Sequence, residues 1–379
     1  MNAIIRHSLV ALIVSTTFAS GTSADDDNSD PHIRMEILKA AEWDQIDKSV
    51  DQGLKHLVKN QRPDGSFPAP DAAQPAVTSL GVMAILSSGH EPGQGPYAKS
   101  LNRAIDYVLS VQRSNGALAW SGQGPVNNQT IAYNHAISGL MLGEAYGMTA
   151  EGDNQKIRSA ILKAVKYTRS LQTGSKRNRD DKGGWRYPEP WGPNDSDLSI
   201  TSWQLMFYRS VKNAGFDVPV EYIDEAVGYV RRCFDEKEHT FVYALQQGPD
   251  SERYASGGVV GGGIIALAMA GEHRSDIVRQ AGDWILAHPF TRYNRRNHPE
   301  DRYHYSAFYC SQAMYQIGGQ HWEKFYPEFT QVLLKNQNTD GSWDPESRIH
   351  DRDIGNMYTT SLVVLALTPP YQMLPIYQR

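Results

Sequence analysis

The carboxylates are the residues in this chain whose placement suggests chemistry. Asp195 and Asp197 stand two apart, directly ahead of a largely apolar run at 198–207. Asp351 and Asp353 have the same spacing in the loop before the last apolar run, at 357–368. An Asp or Ser just ahead of a helix caps it, because its side-chain oxygen accepts from the first free backbone N–H groups; Ser196 and Asp197 are both placed to do so. A carboxylate from each pair, facing across one cleft, would instead divide general-acid and general-base work between them. Two other stretches are candidates. The glycines at 257–263 open an apolar run, and their amides can receive an anion such as a diphosphate. They lack the Lys-Ser/Thr ending of a phosphate-binding loop, and close helix packing explains them better. The basic run at 292–298 reads as a solvated loop in an otherwise acidic protein.

These residues need elements to hold them, and the chain alternates two kinds. One is amphipathic, as in the stripe Ile46, Val50, Leu54, Leu57 and Val58. The other is apolar nearly all round, as at 77–86, and such a helix must be buried. The alternation continues as 97–112 with 131–147, 154–172 with 196–214, 220–234 with 259–271, 275–287 with 306–318, and 321–337 with 357–368. Residues 241–245 are the one stretch that reads as extended. Six pairs with polar outer and apolar inner members bury their apolar surface most simply as a closed double ring. The expected fold is therefore all-α, an (α/α)6 toroid of six helix hairpins within 35–379.

A repeated motif supports the array. Residues 59–67 read K-N-Q-R-P-D-G-S-F and residues 335–343 read K-N-Q-N-T-D-G-S-W. Looser copies place Gln112 before Asn115, Gly116 and Trp120, and Gln172 before Gly183, Gly184 and Trp185. Gln61 and Gln337 follow the last turn of an outer helix, where their amides can meet orphan carbonyls. Asp64-Gly65 and Asp340-Gly341 make the turn, and Phe67 and Trp343 pack back between units.

The first 24 residues carry Arg6, then an apolar run at 9–19, then Thr22-Ser23-Ala24, the pattern of a secretory signal peptide cleaved after Ala24. Residues 25–34 form an acidic, flexible leader. Export to the periplasm or beyond is the expectation, with no transmembrane segment, because the apolar run is too short to span a bilayer. The formal charge of −5 becomes one unit more negative without Arg6, which disfavours nucleic acid and anionic membranes as partners. Cys233 and Cys310 are the only cysteines, so disulfides do not frame the fold; a single bridge between them is permitted outside the cytoplasm.

The repeat at 57–67 and 333–343, L-x3-Q-x3-G-x-F/W, resembles the QW repeats of squalene–hopene cyclases and the related repeats of protein prenyltransferase β subunits. The segment G-G-W-R-Y-P at 183–188, followed by D-L-S-I-T-S-W-Q at 197–204, is similar to a loop and inner helix of the same superfamily. The resemblance implies an apolar central cavity suited to an isoprenoid-like molecule. It implies chemistry at the entrances of the inner helices. Cyclases of this type carry a D-x-D-D cluster there, whose middle aspartate protonates an alkene. Asp195 and Asp197 match two of its acids, and Leu198 replaces the last. Such an acid must be kept protonated by burial or by a neighbouring carboxylate. Inner-helix aromatics, namely Tyr133, Trp203, Phe207, Tyr305 and Phe308, would face the cation as substrate-binding residues, with Tyr208, Tyr309 and Tyr358 on the same kind of helix.

The prenyltransferase branch uses zinc held by Asp, Cys and His. His304, in D-R-Y-H at 301–304, matches one ligand position, but no D-x-C partner exists and one histidine without a thiolate makes no zinc site. No metal and no cofactor are expected, and His304 is retained as a cavity candidate. A full squalene cyclase has a second helical barrel, for which this chain has no room. Two other functions fit the same fold: a non-catalytic exported binding or scaffold toroid, and a carbohydrate-active enzyme pairing Asp195 or Asp197 with Asp351 or Asp353.

Overall fold

The computed structural model describes residues 37–120, 128–246, 251–296, 298–347 and 349–378. The expected signal peptide and leader at 1–34 lie outside them. In chain order the helices are α1 (Ala40–Lys59), α2 (Ala76–Ser87), α3 (Ala98–Ser110), α4 (Asn128–Ala145), α5 (Glu151–Gln172), α6 (Leu198–Asn213), α7 (Val220–Arg232), α8 (Gly257–Met269), α9 (Asp276–Ala287), α10 (Tyr303–Ile317), α11 (Gly319–Lys335), the short α12 (Ile349–Ile354) and α13 (Asn356–Leu367). The even members through α10, together with α13, form the inner ring. Each packs on the next, and α13 returns to α2, so the (α/α)6 toroid is closed.

The burial pattern follows the two kinds of sequence. Every residue of α2 is buried, whereas α1 buries one stripe that includes Ile46, Val50, Leu54 and Leu57. Each outer helix packs chiefly on the inner helix that precedes it in the chain, and α1 packs on α13. The first outer helix thus completes the last unit. Of the stretch expected to be extended, only Phe241 lies in a strand, β2 (Thr240–Phe241), which is antiparallel to β1 (Phe234–Asp235), with Phe234 opposite Phe241.

The repeated glutamines act as staples, in a manner the motif did not foretell. Their amides reach past the end of their own helix. Gln61 Nε2 donates to the carbonyls of Gly65 and of Ser100 in α3. Gln112 does the same to Gly116 and Ala160 in α5, Gln172 to Gly183 and Tyr222 in α7, and Gln337 to Gly341 and Ser49 in α1. One side chain therefore fixes its own turn and the next outer helix together. The turn glycines have positive φ, and a Cβ on Gly65, Gly116, Gly183 or Gly341 would overlap a backbone carbonyl of that neighbouring helix.

The aromatic that ends each motif then pins the loop to an inner helix. The backbone N–H groups of Phe67, Trp185 and Trp343 donate to Thr78, Thr201 and Thr360 at 3.0–3.2 Å. In the second unit Leu118 takes this role and donates to His135 Nδ1 at 3.1 Å. Burial lowers the pKa of His135 to about 3, so the ring is neutral and its Nε2 proton points to Thr168. Cys233 and Cys310 are both buried and unpaired, so the permitted disulfide is not formed.

The C-terminal ends of the inner helices are covered by residues 369–378. Ile376 N donates to Glu144 on α4 at 3.1 Å, the Tyr377 hydroxyl meets Met206 on α6, and Gln316 on α10 donates to the Tyr377 carbonyl at 2.8 Å. The tail thereby closes this pole of the ring. The opposite pole, where the inner helices begin, holds the cavity.

Candidate functional site

Asp197 ends an extended approach to α6 and caps it: its Oδ1 accepts from Ile200 N at 2.8 Å. The capping role expected from sequence is therefore present, and it occupies one carboxylate oxygen only. The residue is fully buried, and Oδ2 has no hydrogen-bond partner. Burial pushes the Asp197 carboxyl up to about 6, against the opposing pull of the Arg186 guanidinium, the Ile200 N–H and the nearby Tyr243 hydroxyl; Glu252 pushes it further up. The chain brings this acid to the ring interior because Asp197 N also pairs with the Trp185 carbonyl at 3.0 Å and Leu198 N with the Tyr243 carbonyl at 2.8 Å.

Asp195 has a different place. Both of its oxygens are held by Arg177, through the backbone N–H at 2.5 Å and the guanidinium at 2.6 and 2.9 Å. Those bonds hold its carboxyl below the ordinary carboxylate range in spite of partial burial. It faces the outer loop, so Asp195 and Asp197 do not form a proton-sharing pair.

Around the entrances of the inner helices lies a cavity of about 680 Å³. Its deeper wall is apolar, made by Leu80, Ile137, Trp203 and Leu362, each a turn or more into its helix. Above them stand Tyr133, Tyr187, Tyr243, Tyr254, Tyr305 and Tyr358. Burial raises the pKa of all six phenols, and the Asp197 carboxylate adds to the rise in all but Tyr358, although Asp197 is not itself among the lining residues. Four of the lining side chains are joined: Tyr133 donates to Ser199 Oγ at 3.0 Å, Ser199 and Tyr305 share a 2.6 Å bond, and Trp203 Nε1 donates to Tyr305 Oη at 3.0 Å.

The charged part of the lining is mainly acidic. Arg302 donates to Asp351 at 2.7 Å. Glu252 accepts from Arg186 at 2.7 Å and from Asn194 at 2.9 Å. Glu300 also lines the cavity. Asp353 is exposed and pairs with Arg352, so of the two candidates in that loop only Asp351 reaches the cavity.

Of the aromatic candidates, Tyr133, Trp203 and Tyr305 line the cavity. Phe207 and Phe308 do not. Phe308 stacks behind Trp203 with ring centres 5.4 Å apart, and Phe207 fills the space beside Gly139 against the edge of His135. His304 is also core: its Nε2 bonds the Tyr293 hydroxyl at 2.9 Å, and burial lowers its pKa to about 3. The glycine run at 257–263 has its first amides engaged, Gly257 N by Asp301 and Gly258 N by Ser306, and Gly261 lies where a Cβ would strike the α10 backbone. Among the described residues no group of three His, Cys, Asp or Glu side chains is gathered for a metal. No helix there is long and apolar enough to cross a membrane.

Arg186, Tyr187, Tyr243, Glu252 and Tyr254 were not singled out from sequence. They lie on loops, where no periodicity marks an inward face. Arg186 alone carried a signal, as a cation set between Trp185 and Tyr187 in an otherwise apolar stretch.

No protein-family description matches the chain. A stretch of 175 residues, 45% of the chain, is 25% identical to drimenyl diphosphate synthase from Streptomyces showdoensis and spans 29% of that protein's length. Among solved structures, the chain resembles the type II terpene cyclase MstE from Scytonema in complex with geranylgeranyl dihydroxybenzoate, with a TM-score of 0.60, 15% identity, and 89% of this chain and 100% of that one covered. It also resembles the family 76 α-mannanase of Bacteroides thetaiotaomicron, with a TM-score of 0.58, 11% identity, and 90% and 99% covered. An inactive α-1,6-mannanase variant of Salegentibacter in complex with α-1,6-mannotetrose gives 0.59 at 10% identity, covering 86% and 99%. At these identities the likeness establishes the toroid, of the kind found in terpenoid cyclases and in these mannanases alike.

Proposed function

We propose that the central cavity binds an isoprenoid-like apolar molecule and that Asp197 is the acid that acts on it. The observation that carries this reading is an apolar, tyrosine-ringed cavity lined by Ser199 and Tyr243, with Asp197 buried next to them outside the lining itself, one of its oxygens free and its pKa raised to about 6. Its volume falls in the ordinary range for a small-molecule site, roughly 300–1,000 Å³. In the protonated form, Asp197 Oδ2–H gives its proton to an alkene carbon at the Tyr243 side of the cavity. The alkene π pair forms the new C–H bond, the O–H pair stays on Oδ2, and the resulting carbocation faces the phenol and indole rings. The likeness to a terpene cyclase fold supports the same reading.

The chain is proposed to work outside the cytoplasm, on the strength of residues 1–24. N-terminal sequencing of protein from its native host should begin at Asp25; a retained Met1 would refute export by cleavage.

The acidic mouth favours a second reading, a glycan-active site using Asp351 with Asp197. Against it, Asp351 is bound to Arg302, and Asp197 spends one oxygen on its cap. Lipid extraction and mass spectrometry of the native protein separates the two. An isoprenoid in the extract, displaced by added prenyl alcohols, is the expected result. An empty cavity together with hydrolysis of an α-mannan would replace the first reading with the second.

A further inference from the structure

Asp197 faces a cation that is already engaged. Arg186 is buried, and its Nη2 binds Glu252 Oε1 at 2.7 Å. Glu252 is itself fixed by Asn194, whose Nδ2 donates to Oε2 at 2.9 Å and whose Oδ1 accepts from Gln246 N at 3.2 Å. On its other side Arg186 stops short. Its Nε is 3.9 Å from Asp197 Oδ2, and neither atom has a hydrogen-bond partner. The guanidinium also lies over the rings of Tyr187 and Tyr243, with centroids 5.0 and 5.7 Å away. A cation held by one carboxylate and standing just out of contact with a second is an arrangement with two states.

We infer that Glu252 is a positioning residue for Asp197, holding Arg186 away from it so that Asp197 keeps its proton until a substrate takes it. Once the proton has gone to the substrate, the charge left on Oδ2 faces the unpartnered Arg186 Nε–H, which receives it. The donor stands 3.9 Å away before the charge appears, so only a short approach is required at that moment. The inference rests on the reading of Asp197 as the acid, and it adds what keeps and then stabilises that acid. Arg186 acts as the second positioning residue.

The Tyr243 hydroxyl, which also favours the Asp197 carboxylate, shares in receiving that charge; the remaining groups around Asp197 do not compete for this role. Tyr133 on α4 and Tyr305 on α10, with the loop residues Tyr187, Tyr243 and Tyr254, are pushed up by burial and stay neutral through the physiological range. At the end of α7, Tyr229 and Cys233 are raised in the same way. Lys176 feels Asp197, but its ammonium donates to the Asp195 carbonyl at 3.0 Å. Arg186 and Glu252 are therefore the charges that set the balance.

The two positioning residues make opposite predictions, which a merely structural role would not. The infrared carbonyl band of protonated Asp197, identified as the band lost in Asp197→Asn, is followed from pH 4 to 8 in the intact protein. Glu252→Gln still offers Arg186 an acceptor but no longer neutralises it, so the midpoint should fall by about one pH unit or more. Arg186→Gln should raise it by a similar amount, about one unit. A midpoint that is unmoved or raised in Glu252→Gln overturns the inference. That variant decides the matter alone if Arg186→Gln does not fold, because Glu252 lies at the partly open cavity edge. Absence of any Asp197 band at pH 4 would overturn both this inference and the acid itself. A band that titrates normally but ignores Glu252 overturns this inference only.

Discussion

Gln337 and Ser49 exchange hydrogen bonds across the seam of the ring: Gln337 Nε2 donates to the Ser49 carbonyl at 2.8 Å, and Ser49 Oγ donates to Gln337 Oε1 at 2.7 Å. The pair lies 288 positions apart in sequence. It is the same staple that Gln61 makes with Ser100, used here to join the last outer helix to the first.

Gln337→Ala should therefore loosen the closure. It removes two bonds to Ser49 and one to Gly341, and an unfolding free energy lower by about 1–3 kcal/mol is expected from chemical denaturation. Ser49→Ala should add little to it, since the shared bond is already gone. Full additivity of the two substitutions would contradict a direct coupling.

Gly341 and Gly355 have nearly the same φ, +89° and +91°, but different surroundings. A Cβ on Gly341 would press on the Gln52 carbonyl, whereas one on Gly355 meets nothing within 4 Å. Gly355→Ala should cost only the strain of its own backbone, which at ψ −180° is open essentially to glycine alone, about 1–3 kcal/mol. Gly341→Ala should cost more and lower the melting temperature further. Equal losses would mean that the turn and α1 are not pressed together.

Asp197→Asn should separate capping from chemistry. Asn keeps an oxygen for Ile200 N, so the melting temperature should stay near that of the parent, a change within about 1 kcal/mol. Turnover of an isoprenoid substrate should drop by about 10²-fold or more, the usual contribution of a general acid. Product formation at the parental rate would remove Asp197 from the mechanism.

Glu144 gives a pH signature at the closed pole. It is 2% exposed, accepts from Ser210 Oγ at 2.5 Å and from Ile376 N at 3.1 Å, and burial pushes its carboxyl up to about 7. Because the folded value lies above the unfolded one, its contribution is full below about pH 4.5 and is lost as pH rises through 7. Stability at pH 8 should be lower than at pH 4.5 by an amount on the order of 3 kcal/mol from this group. Glu144→Gln should flatten that part of the profile. An unchanged profile in denaturant titrations would show that Glu144 is not the source.

Much of this was legible in the chain. The two kinds of helix were visible because an outer helix shows one stripe and an inner helix shows none. Gln61 and Gln337 stood out because turn and neighbour need the same residue in each unit. The lack of a stripe was also the limit. Trp203 and Phe207 lie one turn apart on α6, and nothing in sequence tells that the first faces the cavity and the second faces the α4 core. Asp197 was recognisable as a cap, but its partner Arg186 binds Glu252 66 positions away, on loops that only ring closure brings together. Asp195 looked equivalent to Asp197 at that spacing and is not, because Arg177 on a neighbouring loop takes both of its oxygens.

The tail at 369–378 makes the ring a cup. Among the described residues Ile376 and Tyr377 cover one pole, and the cavity lies toward the other, at the inner-helix entrances. A molecule that enters there meets Leu80 and Leu362 deepest. A long flexible molecule can thread in end first, whereas a compact, rigid product has to back out past Tyr187, Tyr243 and Tyr254. If the cavity is the proposed site, leaving it should be slower than entering it, and product formation followed before steady state should show a burst.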